Sequence, residues 1–92
     1  MLVVPKNIHP NQRMKIELNL YATLQRYFPV EKGEGANIVE ADEGITVEGL
    51  LSGYDVPINM VKIIFVNGVH SKADRQLQDG DRVGVFPPVG GG

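Results

Sequence analysis

The side chains able to do chemistry are few in this chain, and their spacing decides what they could do. Asp42 and Glu43 stand side by side, and Asp79 and Asp81 flank a glycine. Paired carboxylates act as general acid and base when a shaped pocket separates their pKa values. Both pairs sit in turn-like stretches, "DEG" and "DGD", where aspartate bonds nearby backbone instead. "DGD" is also followed by none of the oxygen ligands, nor the bidentate glutamate, of a calcium loop. The two serines, Ser52 and Ser71, lie outside any G-x-S-x-G elbow. His70 precedes Ser71, but neighbours along a strand point to opposite faces, which keeps the two apart. The other histidine is His9, and cysteine is absent. Disulfides, thiolate nucleophiles, zinc fingers and iron–sulfur ligation are therefore excluded, and no histidine-rich metal site is expected. The glycines form neither G-x-G-x-x-G nor a Walker pattern. No catalytic constellation of side chains is left.

What remains is the last stretch, "VGVFPPVGGG", residues 83–92. Gly90, Gly91 and Gly92 lack a Cβ and can thread a channel too narrow for any side chain, lying against a partner's backbone. Pro87 and Pro88, followed by Val89, hold the tail extended and stop it from continuing as strand. The six residues after Phe86, at about 3.3–3.6 Å each, project roughly 20 Å from the domain. That reach carries the α-carboxylate of Gly92 into another protein's active site while the folded body docks outside. The working group expected here is that carboxylate.

The elements that must position the tail follow from length and pattern. Ninety-two residues, 42% hydrophobic and 22% charged, fit one small domain with one core. The net charge of −2 and the scattered Lys and Arg argue against phosphate-driven nucleic-acid binding. No apolar run approaches the roughly 20 residues of a membrane helix. The apolar start "MLVVP" is too short for a signal peptide. With no cysteine, a reducing, cytoplasmic setting is expected. Residues 1–13, with Pro5 and Pro10 and no periodicity, read as a flexible arm, and the ordered pattern starts at Met14.

From there "KIELNLY" alternates, with Ile16, Leu18 and Leu20 on one face: a half-buried strand. "ATLQRYF" predicts about two helical turns, Leu24 meeting Tyr27 or Phe28, ended by Pro29. "VEKGEG" reads as a loop, and "ANIVEA" as a strand pairing back on the first. "ITVEGLLSG" predicts a short helix with Thr46 as N-cap and Val47, Leu50 and Leu51 on one face; Gly49 and Gly53 weaken it. "VKIIFV", apolar almost throughout, predicts a strand covered on both faces or inside a sheet. Asn67-Gly68 predicts a tight type I′ hairpin into "VHS". Leu77 reads as buried, Asp79-Gly80 as a turn, and "RVGVF" as the last strand, with Val83 and Val85 opposite Phe86. The sum is an α+β domain over residues 14–86: a mixed sheet of four to five strands, one main helix across one face, and the tail 87–92 beyond it.

The stretches "MKIELNLYATLQRYFP", "GITVEGLL", "IFVNGVHS" and above all "LQDGDRVGVFPPVGGG" make the chain resemble the ThiS/MoaD sulfur-carrier family, from Met14 to Gly92. The FPPV form is most similar to the small subunit of molybdopterin synthase. The resemblance implies the ubiquitin-like β-grasp fold and a carrier that is not an enzyme by itself and binds no cofactor. It implies an E1-like partner that spends ATP to adenylate Gly92, and a sulfur donor such as a cysteine desulfurase system that makes the thiocarboxylate. A large catalytic subunit of molybdopterin synthase, or an equivalent acceptor, would receive the sulfur. Gly91 and Gly90 would line the partners' channels, and Phe86 would belong to the docking face or, equally, to the core. Sulfur carriage for thiamin or another metabolite, and conjugation to lysine as a protein modifier, are the alternatives the same family leaves open. The short, glycine-rich helix, and Gly90 where alanine or serine is more familiar, depart from the family pattern.

Overall fold

The computed structural model describes residues 13–27 and 37–88. Strand β1 (Arg13–Leu20) leads into a 3-10 turn over Ala22–Tyr27. Strand β2 (Ile38–Asp42), helix α1 (Val47–Gly53), a second 3-10 turn (Ile58–Met60) and strands β3 (Ile63–Val66), β4 (Val69–Ser71) and β5 (Arg82–Phe86) follow. The five strands form one mixed sheet in the order β2-β1-β5-β3-β4. Only β1 and β5 run parallel; the other pairs are antiparallel. The predicted α+β layout, one helix across one face of a mixed sheet, is the one observed. Arg13, placed in the arm by the sequence pattern, is the first residue of β1, opposite Asp42 of β2.

Strict alternation in β1 sends Met14, Ile16, Leu18 and Leu20 into the core. Val39 and Ala41 of β2, Ile64 and Val66 of β3, and Val83 and Val85 of β5 point the same way. Helix α1 covers this face with Val47, Leu50 and Leu51, joined by Leu24, Val56 and Leu77. The Thr46 hydroxyl accepts from the Gly49 N–H at 3.0 Å and caps the helix as expected.

The two glycines of α1 are not equivalent. A Cβ on Gly49 would sit 3.0 Å from Ile45 Cγ1 and 3.3 Å from the capping Thr46 Oγ1, whereas one on Gly53 would meet open space. Replacing glycine by alanine inside a helix is worth about 1 kcal/mol. Gly53→Ala is therefore expected to raise the unfolding free energy by up to about that amount, and Gly49→Ala to gain less or lose stability. Equal gains in chemical denaturation of the two variants would contradict this.

One expectation needs correction. "ATLQRY" forms a 3-10 turn rather than two α-helical turns. Ala22 starts it at φ +55, a left-handed conformation that breaks regular helix geometry at its first residue. Leu24 is fully buried, and the Tyr27 hydroxyl donates to Met60 Sδ at 3.8 Å; Phe28 and Pro29 lie outside the described residues. "VKIIFV" is inside the sheet, between β5 and β4, the second of the two settings its apolarity allows. The single helix shields Ile64 and Val66, while Ile63 and Phe65 stay half-buried on the open face.

The turn reading of the acidic residues holds. Asp79 Oδ1 accepts from the Lys15 N–H at 2.8 Å. Asp81 accepts from the Gln78 N–H and from Asn67 Nδ2. Gly44, Gly68 and Gly80 supply positive φ at their turns.

Candidate functional site

The face that α1 leaves open is built by the residues alternating with the core. It carries Glu17 and Asn19 of β1, Arg82, Gly84 and Phe86 of β5, Ile63 and Phe65 of β3, and His70 of β4. Cross-strand register decides which of them meet. Phe86 pairs with Ile63, Gly84 lies between Asn19 and Phe65, and Phe65 pairs with His70. The Tyr21 N–H donates to the Val85 carbonyl at 3.0 Å, which extends the parallel ladder by one step and lays Tyr21 beside Phe86.

The result is a chain of rings. Tyr21 and Phe86 stack with centroids 4.3 Å apart and planes 6° from parallel. Phe65 meets Phe86 edge to face at 6.0 Å and His70 at 5.9 Å. Each such pair is worth about 0.5–1.5 kcal/mol beyond its buried area. Gly84 keeps the centre of the cluster free of a side chain. A Cβ there would touch Tyr21 Cε2 at 3.5 Å and Phe86 Cε1 at 3.9 Å, so glycine leaves a shallow notch between the rings rather than relieving a clash.

Beside the rings, Ala22, Thr23, Ile63, Phe65, Phe86, Pro87 and Pro88 line an open apolar hollow of about 510 Å³. The other half of the face is charged. Arg13 lies 4.0 Å from Glu40 and 3.7 Å from Asp42, and Arg82 lies 3.9 Å from Glu17. All these pairs are exposed, so each adds little to stability. Glu17 also accepts from Asn19 Nδ2, and Asn19 Oδ1 accepts from Asn37. The sheet thus offers an apolar half next to β5's C-terminus and a self-neutralised polar half away from it.

The way β5 ends sets where the tail leaves. The Phe86 carbonyl accepts the last ladder bond, from the Lys62 N–H at 2.8 Å. Pro87 and Pro88 have no N–H to continue it. Because β5 lies between β1 and β3, the chain departs from the middle of the sheet, at the rim of the hollow. Of the site residues picked from the sequence, Phe86 lies on the open face and not in the core, and Pro87 and Pro88 line the hollow beside it. Val89, Gly90, Gly91 and Gly92 lie outside the described residues. Tyr21, Ile63 and Phe65 were missed as site residues. Their signal was present, since each falls on the odd positions opposite the core alternation, but nothing local says that their strands adjoin β5.

Among the described residues no group of three or more His, Asp or Glu side chains could hold a metal ion, and no helix is long and apolar enough to cross a membrane.

The model of the ThiS family matches residues 18–92, strand β1 through the glycine tail. The chain belongs to the ThiS family. Members are small, ubiquitin-like sulfur-carrier proteins. Among solved structures, the chain is similar to the HVO 2177 protein of Haloferax volcanii, with 26% identity, TM-score 0.60, and 88% of this chain and 89% of that one covered. A Pyrococcus furiosus protein assigned as molybdopterin converting factor, subunit 1, shares 27% identity at TM-score 0.55 over 83% of this chain and 99% of its own. SAMP1 of Haloferax volcanii shares the fold at 21% identity and TM-score 0.56, over 85% and 99%. No curated protein matches the sequence. The five-stranded mixed sheet with one main helix is the β-grasp of these family neighbours.

Proposed function

We propose that this protein carries sulfur on the C-terminal carboxylate of Gly92 and delivers it in molybdopterin synthesis, as the small subunit of the synthase. The observation that carries the reading is an apolar aromatic face at the point where the family-matched C-terminal sequence begins. The aromatic face built on β5 extends to Pro87 and Pro88, and in sequence these are followed by Val89 and the three glycines that the family match includes. The 27% likeness to the molybdopterin converting factor subunit supports that branch.

The chemistry follows from the tail. A carboxylate is a poor electrophile. One Gly92 oxygen attacks the α-phosphorus of ATP bound to an E1-like enzyme, expelling pyrophosphate and leaving an acyl-adenylate. Sulfide then attacks the acyl carbon and AMP departs, giving the thiocarboxylate. Where the sulfur arrives as a protein persulfide, the first product is an acyl disulfide, and a thiol reductant cleaves its S–S bond to leave the thiocarboxylate and a disulfide. Family members act with E1-like enzymes and sulfur acceptors. Here the apolar face of Tyr21, Ile63, Phe65 and Phe86 is the surface on which such a partner seats, while the glycines reach its active site. The prolines make the reach directional, since each restricts φ to about −65°.

The test is the intact mass of the protein after co-expression with its E1-like enzyme and a cysteine desulfurase. The expected species exchanges one oxygen for one sulfur and reverts on hydrolysis. Isopeptide-linked conjugates on a reducing gel would instead favour a protein modifier. Sulfur appearing in thiamin rather than in a dithiolene pterin would move the protein to the thiamin branch. A terminus that stays unmodified with an active E1-like enzyme overturns the reading.

A further inference from the structure

Asn67 is the one asparagine in the chain followed by glycine. Glycine has no side chain to shield its own backbone nitrogen, so Asn-Gly is the pair in which that nitrogen most easily attacks the preceding carboxamide. The turn holds Asn67 at φ +54 and Gly68 at φ +82. Asn67 is exposed, so water reaches it. Yet its side chain is held at both ends. Nδ2 donates to Asp81 Oδ1 at 2.9 Å, and Oδ1 accepts from the Arg82 N–H at 3.0 Å. The Asn67 N–H also donates to the Arg82 carbonyl at 2.8 Å. Asp81 is the one buried charged residue among those described, 7% exposed, and its other oxygen takes the Gln78 N–H at 2.8 Å. The hairpin tip is thereby clasped to the start of β5.

We propose that Asn67 is a deamidation site held in check by this clasp, and that its conversion loosens the tip of the β3–β4 hairpin from the start of β5, while the β3–β5 ladder stays paired. The Gly68 nitrogen attacks Asn67 Cγ, the N–Cγ bond forms and the Cγ–Nδ2 bond breaks. Ammonia leaves with the proton from the Gly68 nitrogen, giving a succinimide. Water then opens the ring at either carbonyl, to aspartate or to isoaspartate, whose backbone runs through the former side chain. The net change is amide plus water to carboxylic acid plus ammonia. Reaction requires the carboxamide to let go of Asp81 and Arg82, so the clasp sets the rate. Afterwards the amide donor that met Asp81 is replaced by a second carboxyl group, so that hydrogen bond is lost and two acidic groups face each other. Phe65 and His70, the far end of the ring cluster, lie on the hairpin whose tip is unclasped. The clasp concerns the fold, so its test stands whether or not Gly92 carries sulfur.

The experiment incubates the full chain at mildly alkaline pH and follows the gain of one dalton by intact mass, localised by peptide mapping. A synthetic peptide of residues 62–73 is the unclasped control. Asp79-Gly80 reacts without changing mass and does not interfere. The folded protein is expected to deamidate at Asn67 more than about tenfold slower than the peptide, and a folded Asp81→Asn variant about tenfold faster than wild type, the factor set by one charge-assisted hydrogen bond. The deamidated fraction should melt lower and exchange the β3 and β4 amides faster. If Asp81→Asn does not fold, Asn67→Asp supplies the product, with the same expected loss of melting temperature and protection. Equal rates in protein and peptide, an unchanged rate in a folded Asp81→Asn, or a product as stable as the parent would each overturn the proposal.

Discussion

A chain lacking Gly92 is expected to form no thiocarboxylate above background, yet to melt at the same temperature as the full chain. The two halves of this result have separate causes. Without Gly92 the terminal carboxylate sits one residue short, about 3.5 Å from where the activating enzyme needs it. A misplacement of roughly 1 Å at a reacting centre costs about a hundredfold in rate, so the loss here exceeds that. The prolines worsen the defect, because a tail stiffened at Pro87 and Pro88 stretches little to recover the distance. The fold keeps its stability because a side-chain-free terminal residue contributes nothing to the core, which is closed by Ile16, Leu18, Leu51, Val83 and Val85. Intact mass after exposure to the activating enzyme, ATP and sulfur donor measures the first half; thermal unfolding measures the second. Normal thiocarboxylate formation by the shortened chain would sink the proposed role of Gly92.

Phe86→Ala is expected to weaken binding to the activating enzyme by about 2 kcal/mol, roughly thirtyfold, as removal of a central aromatic anchor does. The ring is stacked on Tyr21 and met edge-on by Phe65, and it forms the wall of the hollow next to the tail. Removing it unstacks Tyr21, widens the hollow and leaves no ring where the tail departs. The accompanying loss of fold stability is about 1–3 kcal/mol from the two ring contacts, below that of a core phenylalanine because Phe86 is only half-buried. Leu18→Ala, fully buried beneath the same strands, should instead cost about 2–5 kcal/mol. Titration calorimetry with the enzyme and chemical denaturation of both variants separate the effects. Phe86→Leu keeps the apolar wall without the stacking and should recover most of the affinity. A Phe86→Ala protein that binds as wild type would remove Phe86 from the interface.

Several elements were legible because the pattern that encodes them is local. In β1 the apolar set repeats every second residue, and a slip of one would turn all of it to solvent, so the alternation read correctly. Thr46 announced the helix because a hydroxyl before an apolar face satisfies orphan N–H groups. Asn67-Gly68 announced the hairpin because both positions need positive φ. Where local signals competed, the reading failed. "ATLQRYF" carries helical spacing, but Ala22 must first turn the chain off β1, and a 3-10 turn results. "VKIIFV" was legible as a strand covered on both faces or inside a sheet, and only the structure decided for the second, because apolarity alone does not tell a buried face from an open one.

By itself the sequence determined the half of the site that depends on order along the chain. It placed Phe86 opposite Val83 and Val85, prolines without N–H groups where the ladder must stop, and glycines after them. It also determined what is absent, a nucleophile or metal cluster, since residue types need no partner to be counted. Only the tertiary structure decided that Tyr21 stacks on Phe86 and that Asp81 is buried against Asn67. Both contacts depend on how separate strands align: the parallel pairing of β1 with β5, and the seating of the β3–β4 hairpin on β5's first residues. Such pairing is set by which faces the whole chain can bury at once, and no stretch of neighbouring residues encodes it.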